Sequence, residues 1–438
     1  MKLVLLYLCI ICHGMATVDG ARTNVSGGKP KSSGTFNVKE YGARGNGRSD
    51  DTKAFLAAWN AACKSSGQVK ILIPSGTYFL NPIEFNGPCR DVQKHKLQFV
   101  IELFKLIVED ISGRGTLRAT TDLRKYGNGK GWVEFRHVDG LTVTGGGTFD
   151  GQGAVSWPFN KCPKDKNCKV LPTSVKFVNT KDTVVRGITS LNSKFFHMAL
   201  LGCHNFKGSG ITISAPGTSP NTDGIHLEGS TGVTISSSKV ATGDDCISIG
   251  QGNTQVTISG ITCGPGHGIS VGSLGRYNDE EDVKNVIVKD STFTGTTNGV
   301  RIKTWANSPA ITKVQNMTFD NLVMKNVDYP VVIDQTYCPF AKCDNSRASL
   351  VKLSDIHFKN IRGTTKRPEA VILRCSKGTP CQKLSLHNIN LKNIGSGGTL
   401  STCLNAKAEY SGKIFPPPCQ LAKIFLCPLH HCDVWVAK

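Results

Sequence analysis

The amino-acid sequence predicts an all-β chain wound into a right-handed parallel β-helix, with one short helix near its start. Three observations carry that prediction. A short β-rich unit recurs from about residue 133 onward. Each unit alternates β-branched or apolar residues and then breaks at Gly, Asn, Ser or Asp, which is strand-and-turn chemistry. No 3.6-residue hydrophobic period of comparable length accompanies them. Composition agrees: 47 of the 438 residues are Gly, above the roughly 7% average, so turns are many. With 39% apolar and 19% charged residues, the bulk of the chain is not disordered.

Residues 3–12, LVLLYLCIIC, form an apolar run behind Lys2, with Val18 and Gly20 placed as at a signal-peptidase site. We read residues 1–20 as a secretory signal rather than an anchor, which needs about 20 apolar residues. Cleavage removes Cys9 and Cys12 of the 17 cysteines, leaving an odd number in an oxidising compartment. Disulfides are then the default, with at least one thiol left over. The sequons at Asn24 and Asn316 agree with secretion.

Residues 35–83 have a helical middle. Ser49 or Asp50 can cap a helix carrying Phe55, Leu56, Trp59 and Ala62 on one face, and Gly67 closes it before the strand VKILIP. A solenoid needs its open end covered, and an amphipathic helix suits that task. After it come the repeats: DGLTVTG from Asp139, DTVVRGI from Asp182, CHNFKGSGITIS from Cys203, TGVTISSS from Thr231, TQVTISGIT from Thr254 and KNVIVKDSTF from Lys284. QNMTFDNLVM from Gln315, SDIHFKNI from Ser354 and KLSLHNINL from Lys383 continue the series. The step is mostly about 23–31 residues, a unit too small to bury its own apolar face, so units must stack. The Leu-x-x-Leu-x-Leu frame of leucine-rich repeats and the Trp-Asp signature of propeller blades are absent. Small residues suit tight corners, where Gly and Asn tolerate left-handed backbone angles. We expect one domain over residues 21–419, followed by an atypical tail, 420–438.

Lysine and arginine number 52 against 32 acids, a formal net charge of +20. An anionic partner follows: nucleic acid, an acidic membrane surface or an acidic polysaccharide. Secretion argues against nucleic acid, and no second apolar run suggests a membrane partner.

Four polar clusters fall within consecutive repeats: Asn221-Thr-Asp-Gly-Ile-His226, Gly243-Asp-Asp-Cys-Ile-Ser248, Gly266-His-Gly-Ile-Ser270 and Arg301-Ile-Lys303. In a coil of about 22 residues, Asp223 and either Asp244 or Asp245 occupy equivalent positions one turn apart, about 4.8 Å along the axis. His267 comes one turn later, and Arg301 and Lys303 one more. Crowded carboxylates repel, so at least one pKa rises and that group can hold a proton as a general acid. A second, ionised carboxylate can activate water, a pairing that hydrolyses glycosidic bonds. Arg301 and Lys303 would hold a substrate carboxylate. Taken singly, each cluster has a plain reading: an Asx turn, a solvated Asp pair, a histidine between turn glycines, a strand edge. Their one-turn spacing favours a shared site. A calcium site of Asp223, Asp244 and Asp245 is the other chemical reading, but His267, Arg301 and Lys303 oppose a cation there. We expect no metal and no cofactor.

These blocks, NTDG, GDD, GHG and RIK in that order, resemble the polygalacturonases of glycoside hydrolase family 28, and the resemblance spans about residues 35–419. The stretches SPNTDGIH, TGDDCISIG, CGPGHGISVGSLG and VVIDQTYC look most similar to plant exopolygalacturonases of the pollen type. The resemblance implies a pectin-lyase-like β-helix and single-displacement hydrolysis of α-1,4-galacturonan with inversion. It implies Asp244 as general acid, Asp223 and Asp245 as the groups that position and activate water, and His267 as support for the acid. It also implies Arg301 and Lys303 at the galacturonate carboxylate, with Asn221 and Tyr337 as further substrate contacts. Inversion calls for roughly 6.5–9.5 Å between acid and base carboxyls. Adjacent strand residues point to opposite faces, so Asp244 and Asp245 can share a site only at a turn or bulge.

Within the family, the cysteine after GDD bonds the one before GHG, which implies Cys246–Cys263. Spacing suggests Cys63–Cys89, Cys162–Cys168, Cys338–Cys343, Cys375–Cys381 and Cys403–Cys419, leaving Cys203 as a buried free thiol. Two regions depart from the pattern. Residues 90–114 are about fifteen longer than the family pattern and lack its usual short strand. There FVIELFKLIVED reads as an amphipathic helix or as a retained non-coding stretch, the reading we favour. The tail carries Cys427, His430, His431 and Cys432, a zinc-like spacing without a second ligand cluster. Secreted exopolygalacturonase is the leading expectation, acting as a monomer on an acidic polysaccharide outside the cell or in the cell wall. Endo-acting polygalacturonase, a weakly active pectin-binding wall protein and pectate lyase are the alternatives.

Overall fold

The computed structural model describes residues 34–419, apart from 90–91, 102, 106–111, 128, 163–164, 166–167 and 341–342. The expected signal segment, the Asn24 sequon and the cysteine-histidine tail lie outside the described residues.

Parallel strands dominate the chain, as the repeats predict, and they coil as a right-handed parallel β-helix. One sheet contains eleven strands in strict chain order, from Ile83–Asn86 to Leu400–Leu404. Register is continuous from coil to coil: Ile225 lies beside Ile247, Ile247 beside Ile269, and Ile269 beside Val300. Like therefore stacks on like, and the inward residues form an apolar column with almost no solvent exposure. Phe85, Phe135 and Phe177 stack along that column with ring centroids 5.2 and 5.3 Å apart. Each such ring removes enough apolar surface to contribute about 1.5–3 kcal/mol.

Corners are made as the composition suggests. Asn179, Asn205, Asn285, Asn316 and Asn360 all adopt left-handed backbone angles, which Asn tolerates better than most residues. Their side chains link neighbouring coils: Asn316 Nδ2 donates to Asn285 Oδ1 at 2.8 Å, and Asn388 Nδ2 to Asn360 Oδ1 at 3.1 Å.

A helix, α1, spans Thr52–Cys63 and buries Phe55, Trp59 and Ala62. It packs on Gly34–Asn37, Gly67–Ile73 and Ile83–Asn86, with Trp59 4.9 Å from Phe85. Leu56 is only half-buried. The boundaries differ from the sequence reading. Ser49 and Asp50 belong to a strand, Asn46–Asp50, and the residue at the cap position is Asp51. Asp51 turns its carboxylate to the amides of Arg44 and Gly45, while Asp50 accepts from the amide of Thr52. Gly67 does not close the helix, which stops at Cys63; Gly67 opens the next strand with φ 80°.

The region after Cys89 corrects another expectation. Val92–Ile101 is a strand, paired in parallel with Gly67–Ile73 and with Leu141–Thr144. Leu97, Phe99 and Ile101 alternate inward and are buried, so period-2 burial prevails over a helical reading, and the strand thought missing is present. Leu103–Lys105 then pairs antiparallel with Ser112–Ala119. All six expected disulfides form, Cys63–Cys89 included. Cys203 is a buried free thiol.

Candidate active site

Asn221, Asp223, Asp244, Asp245, Lys303 and Tyr337 line one cleft of about 360 Å³ on the outer face of the eleven-stranded sheet; His267 and Arg301 do not line it and join the site through Asp244 and the Tyr337 ring. Strand register explains why. Counting back from Ile225–Ile247–Ile269 puts Asp223, Asp245 and His267 at equivalent positions on three successive coils. Arg301 and Lys303 follow on Asn298–Trp305, where Arg301 pairs with Ser270. Alternation aims Arg301, Lys303 and Trp305 outward while Val300, Ile302 and Thr304 are buried.

Asp244 joins the same site because the chain bends there, as two adjacent aspartates require. The amide of His267 donates to the carbonyl of Asp244 at 2.7 Å, and the Asp245 amide donates to Asp244 Oδ1 at 2.8 Å. Gly243 makes the bend possible: a Cβ there would lie 2.0 Å from the carbonyl oxygen of Ser219. The buried Cys246–Cys263 bond fixes the next residue. One oxygen each of Asp244 and Asp245, with a ring nitrogen of His267, lie within 4.8 Å of one another. The bend sets these neighbouring side chains on one side of the chain.

Each carboxylate has its own partners. Asp244 Oδ1 bonds His267 Nδ1 at 3.0 Å, and its Oδ2 accepts from Asn221 Nδ2 at 3.3 Å. Asp245 Oδ2 accepts from Lys303 Nζ at 2.7 Å and from Ser270. Asp223 Oδ2 accepts from Ser248 Oγ at 2.6 Å, and Ser248 in turn bonds His226 Nδ1 at 2.9 Å. Asp223 and Asp245 are 6% and 3% exposed, whereas Asp244 is half-buried and meets the cleft more openly.

Electrostatics separate the three. Burial and the charges of Asp244 and Asp245 push the Asp223 carboxyl well above the usual range. Burial also opposes charge on Asp244, but the His267 bond, Lys303 and the Asp245 amide prevail and hold it low. Burial disfavours the His267 cation, yet the bond to Asp244 outweighs it and raises the imidazole. Burial disfavours the Lys303 cation too, and the carboxylates, Asp245 first, more than restore it. Tyr337 is raised by burial; its ring lies 5.0 Å from the Arg301 guanidinium and 5.4 Å from Lys303 Nζ.

The expectation that one crowded carboxyl must hold a proton therefore falls on Asp223, while Asp244 shares an ion pair with His267. The sequence reading missed several partners. Asp334 binds Arg301 at 3.1 Å, Ser248 and Ser270 hold two of the aspartates, and Asn160 Nδ2 donates to Asn221 Oδ1 at 3.1 Å. Ser248 and Ser270 repeat at matched positions in GDDCIS and GHGIS, a usable signal; Asn160, on a distant loop, offered none. Asp244, Asp245 and His267 are close enough to share a metal ion. Calcium fits them poorly, since one donor is an imidazole and Lys303 already occupies Asp245.

An acid-base cluster of aspartates lining a groove on a parallel β-helix is the equipment of a polysaccharide-cleaving enzyme. The model for glycosyl hydrolases family 28 matches residues 63–412, and the chain belongs to that family and is a glycoside hydrolase. An exopolygalacturonase of Platanus acerifolia is 47% identical over 89% of this chain and 98% of its own length. One from Zea mays is 43% identical over 94% of this chain and 96% of its own. In fold, the chain resembles an exopolygalacturonase from Thermotoga maritima with TM-score 0.69, at 18% identity over 86% of this chain and 90% of that one.

Proposed function

We propose that this protein is a secreted exopolygalacturonase, hydrolysing α-1,4-linked galacturonan from its non-reducing end with inversion. The observation that carries the reading is the set of three aspartates with Lys303 in one cleft of a strongly basic chain, with His267 bonded to Asp244. The relatives named exopolygalacturonase favour exo over endo action.

In this reading the Asp244–His267 pair holds one proton between them. With that proton on Asp244, the more open carboxyl, the leaving glycosidic oxygen accepts it as the bond to the anomeric carbon breaks. Water, positioned by Asp223, which keeps its own proton, attacks that carbon from the opposite face and gives its proton to the ionised Asp245 carboxylate, inverting the centre. Lys303, held on Asp245, supplies positive charge beside the substrate carboxylate, and Arg301 and Tyr337 add a second cationic and aromatic wall. Residues 1–20 direct export, residues 21–419 act as one catalytic domain, and the chain works as a monomer. No helix among the described residues is long and apolar enough to cross a membrane.

Chromatography of the products from polygalacturonate tests the proposal, with Asp244→Asn as control. Monomer alone at early times, lost in the variant, is expected. Early mixed oligomers would shift the reading to endo action. Unsaturated, ultraviolet-absorbing products would mean a lyase, and no product from folded protein a pectin-binding role.

A further inference from the structure

Two cations expected at the substrate are already engaged by the protein. Lys303 Nζ sits 2.7 Å from Asp245, and Arg301 Nη2 sits 3.1 Å from Asp334, a carboxylate also approached by Arg374 at 3.9 Å. Arg276 lines the same cleft as Asp223, Asp244 and Asp245 and is exposed. Among the described residues, no carboxylate lies within ion-pair distance of it.

The Arg276 guanidinium lies 5.2 Å above the Trp305 ring and 5.3 Å from Tyr277. A planar cation beside an aromatic face suits an acidic sugar, which offers a carboxylate and a C–H face.

Arg276 is also held in place. The Glu280 carboxylate accepts the backbone amides of Gly275, Arg276 and Tyr277, the latter two at 2.7 and 3.0 Å. Gln251 ties the next residue across, accepting from the Glu281 amide at 3.0 Å and donating to Glu228 at 3.1 Å. The loop therefore presents its arginine from a braced backbone, which lowers the entropy lost on binding.

We propose that Arg276, braced by Glu280 and seated on Trp305, is a substrate-binding residue that captures a galacturonate carboxylate in the cleft. This rests on the galacturonan reading above. It makes Arg276 a determinant of preference for de-esterified over methyl-esterified chains, since an ester cannot accept a bidentate charged pair.

The test uses the Asp244→Asn protein and titration calorimetry with digalacturonate and its methyl ester. Adding Arg276→Gln is expected to weaken digalacturonate binding about 10- to 100-fold and to leave ester binding within about twofold. Arg276→Lys should restore part of the loss. Lys313→Gln, an equal charge change at an exposed site beside Lys352 and Gln382, should leave both affinities alone. Unchanged digalacturonate affinity in the Arg276→Gln protein, or an equal loss for acid and ester, overturns the role of Arg276. Wild-type release of galacturonate checks the functional reading separately. A wild type inactive on polygalacturonate, with no digalacturonate binding to the Asp244→Asn protein, overturns both.

Discussion

Replacing Lys303 by Met tests how much of the cleft is held by one buried ion pair. The side chains of Lys303 and Asp245 are 12% and 5% exposed, with Nζ 2.7 Å from Oδ2. Met keeps the stem's volume and packing but removes the charge, so Asp245 keeps only the Ser270 bond. Leaving one buried ion without its counter-ion costs about 3–5 kcal/mol, against the several kcal/mol needed to desolvate each ion. For a chain of this length that corresponds to a fall of about 4–6 °C in Tm. Urea unfolding at pH 7, with kcat/KM on polygalacturonate, supplies the readout. The double variant Lys303→Met/Asp245→Asn should regain at least half the lost stability while staying inactive, because no charge is left stranded. A loss below about 1 kcal/mol in the single variant, or no recovery in the double, would refute the reasoning.

Three further outcomes follow from the same geometry. His267 titrates above its usual value because Asp244 holds its proton, so His267→Gln should move the alkaline limb of the kcat/KM profile to lower pH and cost about 100-fold in rate; an unmoved limb refutes the shared proton. Asp223 binds its proton more tightly folded than unfolded, so wild-type stability falls as pH rises from the ordinary carboxyl range through the raised value. Asp223→Asn should abolish turnover yet gain about 1–2 kcal/mol at pH 7 and nothing below about pH 4, read by thermal melts at both pH values. Phe177, stacked on Phe135 at 5.3 Å and edge-on to Phe206 at 5.2 Å, should cost about 3–5 kcal/mol when cut to Ala, measured by urea unfolding.

The coil and the site were legible to different depths. Repetition made the β-helix readable, since an alternating unit that recurs every coil must stack, and matched register then brought NTDG, GDD, GHG and RIK together. Period alone could not decide between Asp244 and Asp245, because the bend at Gly243 depends on the carbonyl of Ser219 one coil away. The strand Val92–Ile101 was read as missing because the apolar run from Phe99 fits either period, and only its pairing with Gly67–Ile73 decides. Asp334 and Asn160 reach the site through long-range contacts that no local pattern announces.

The eleven-rung sheet has a consequence for how sequence change spreads. Each rung touches only the one before and the one after, so a disturbance must pass through intervening rungs to be felt. Four rungs precede Ile225–Glu228 and three follow Asn298–Trp305, which leaves the aspartates, His267 and Lys303 midway between the ends. The stack thus acts as an insulator: its ends can drift in length and composition over evolutionary time while the chemistry at its middle stays in register.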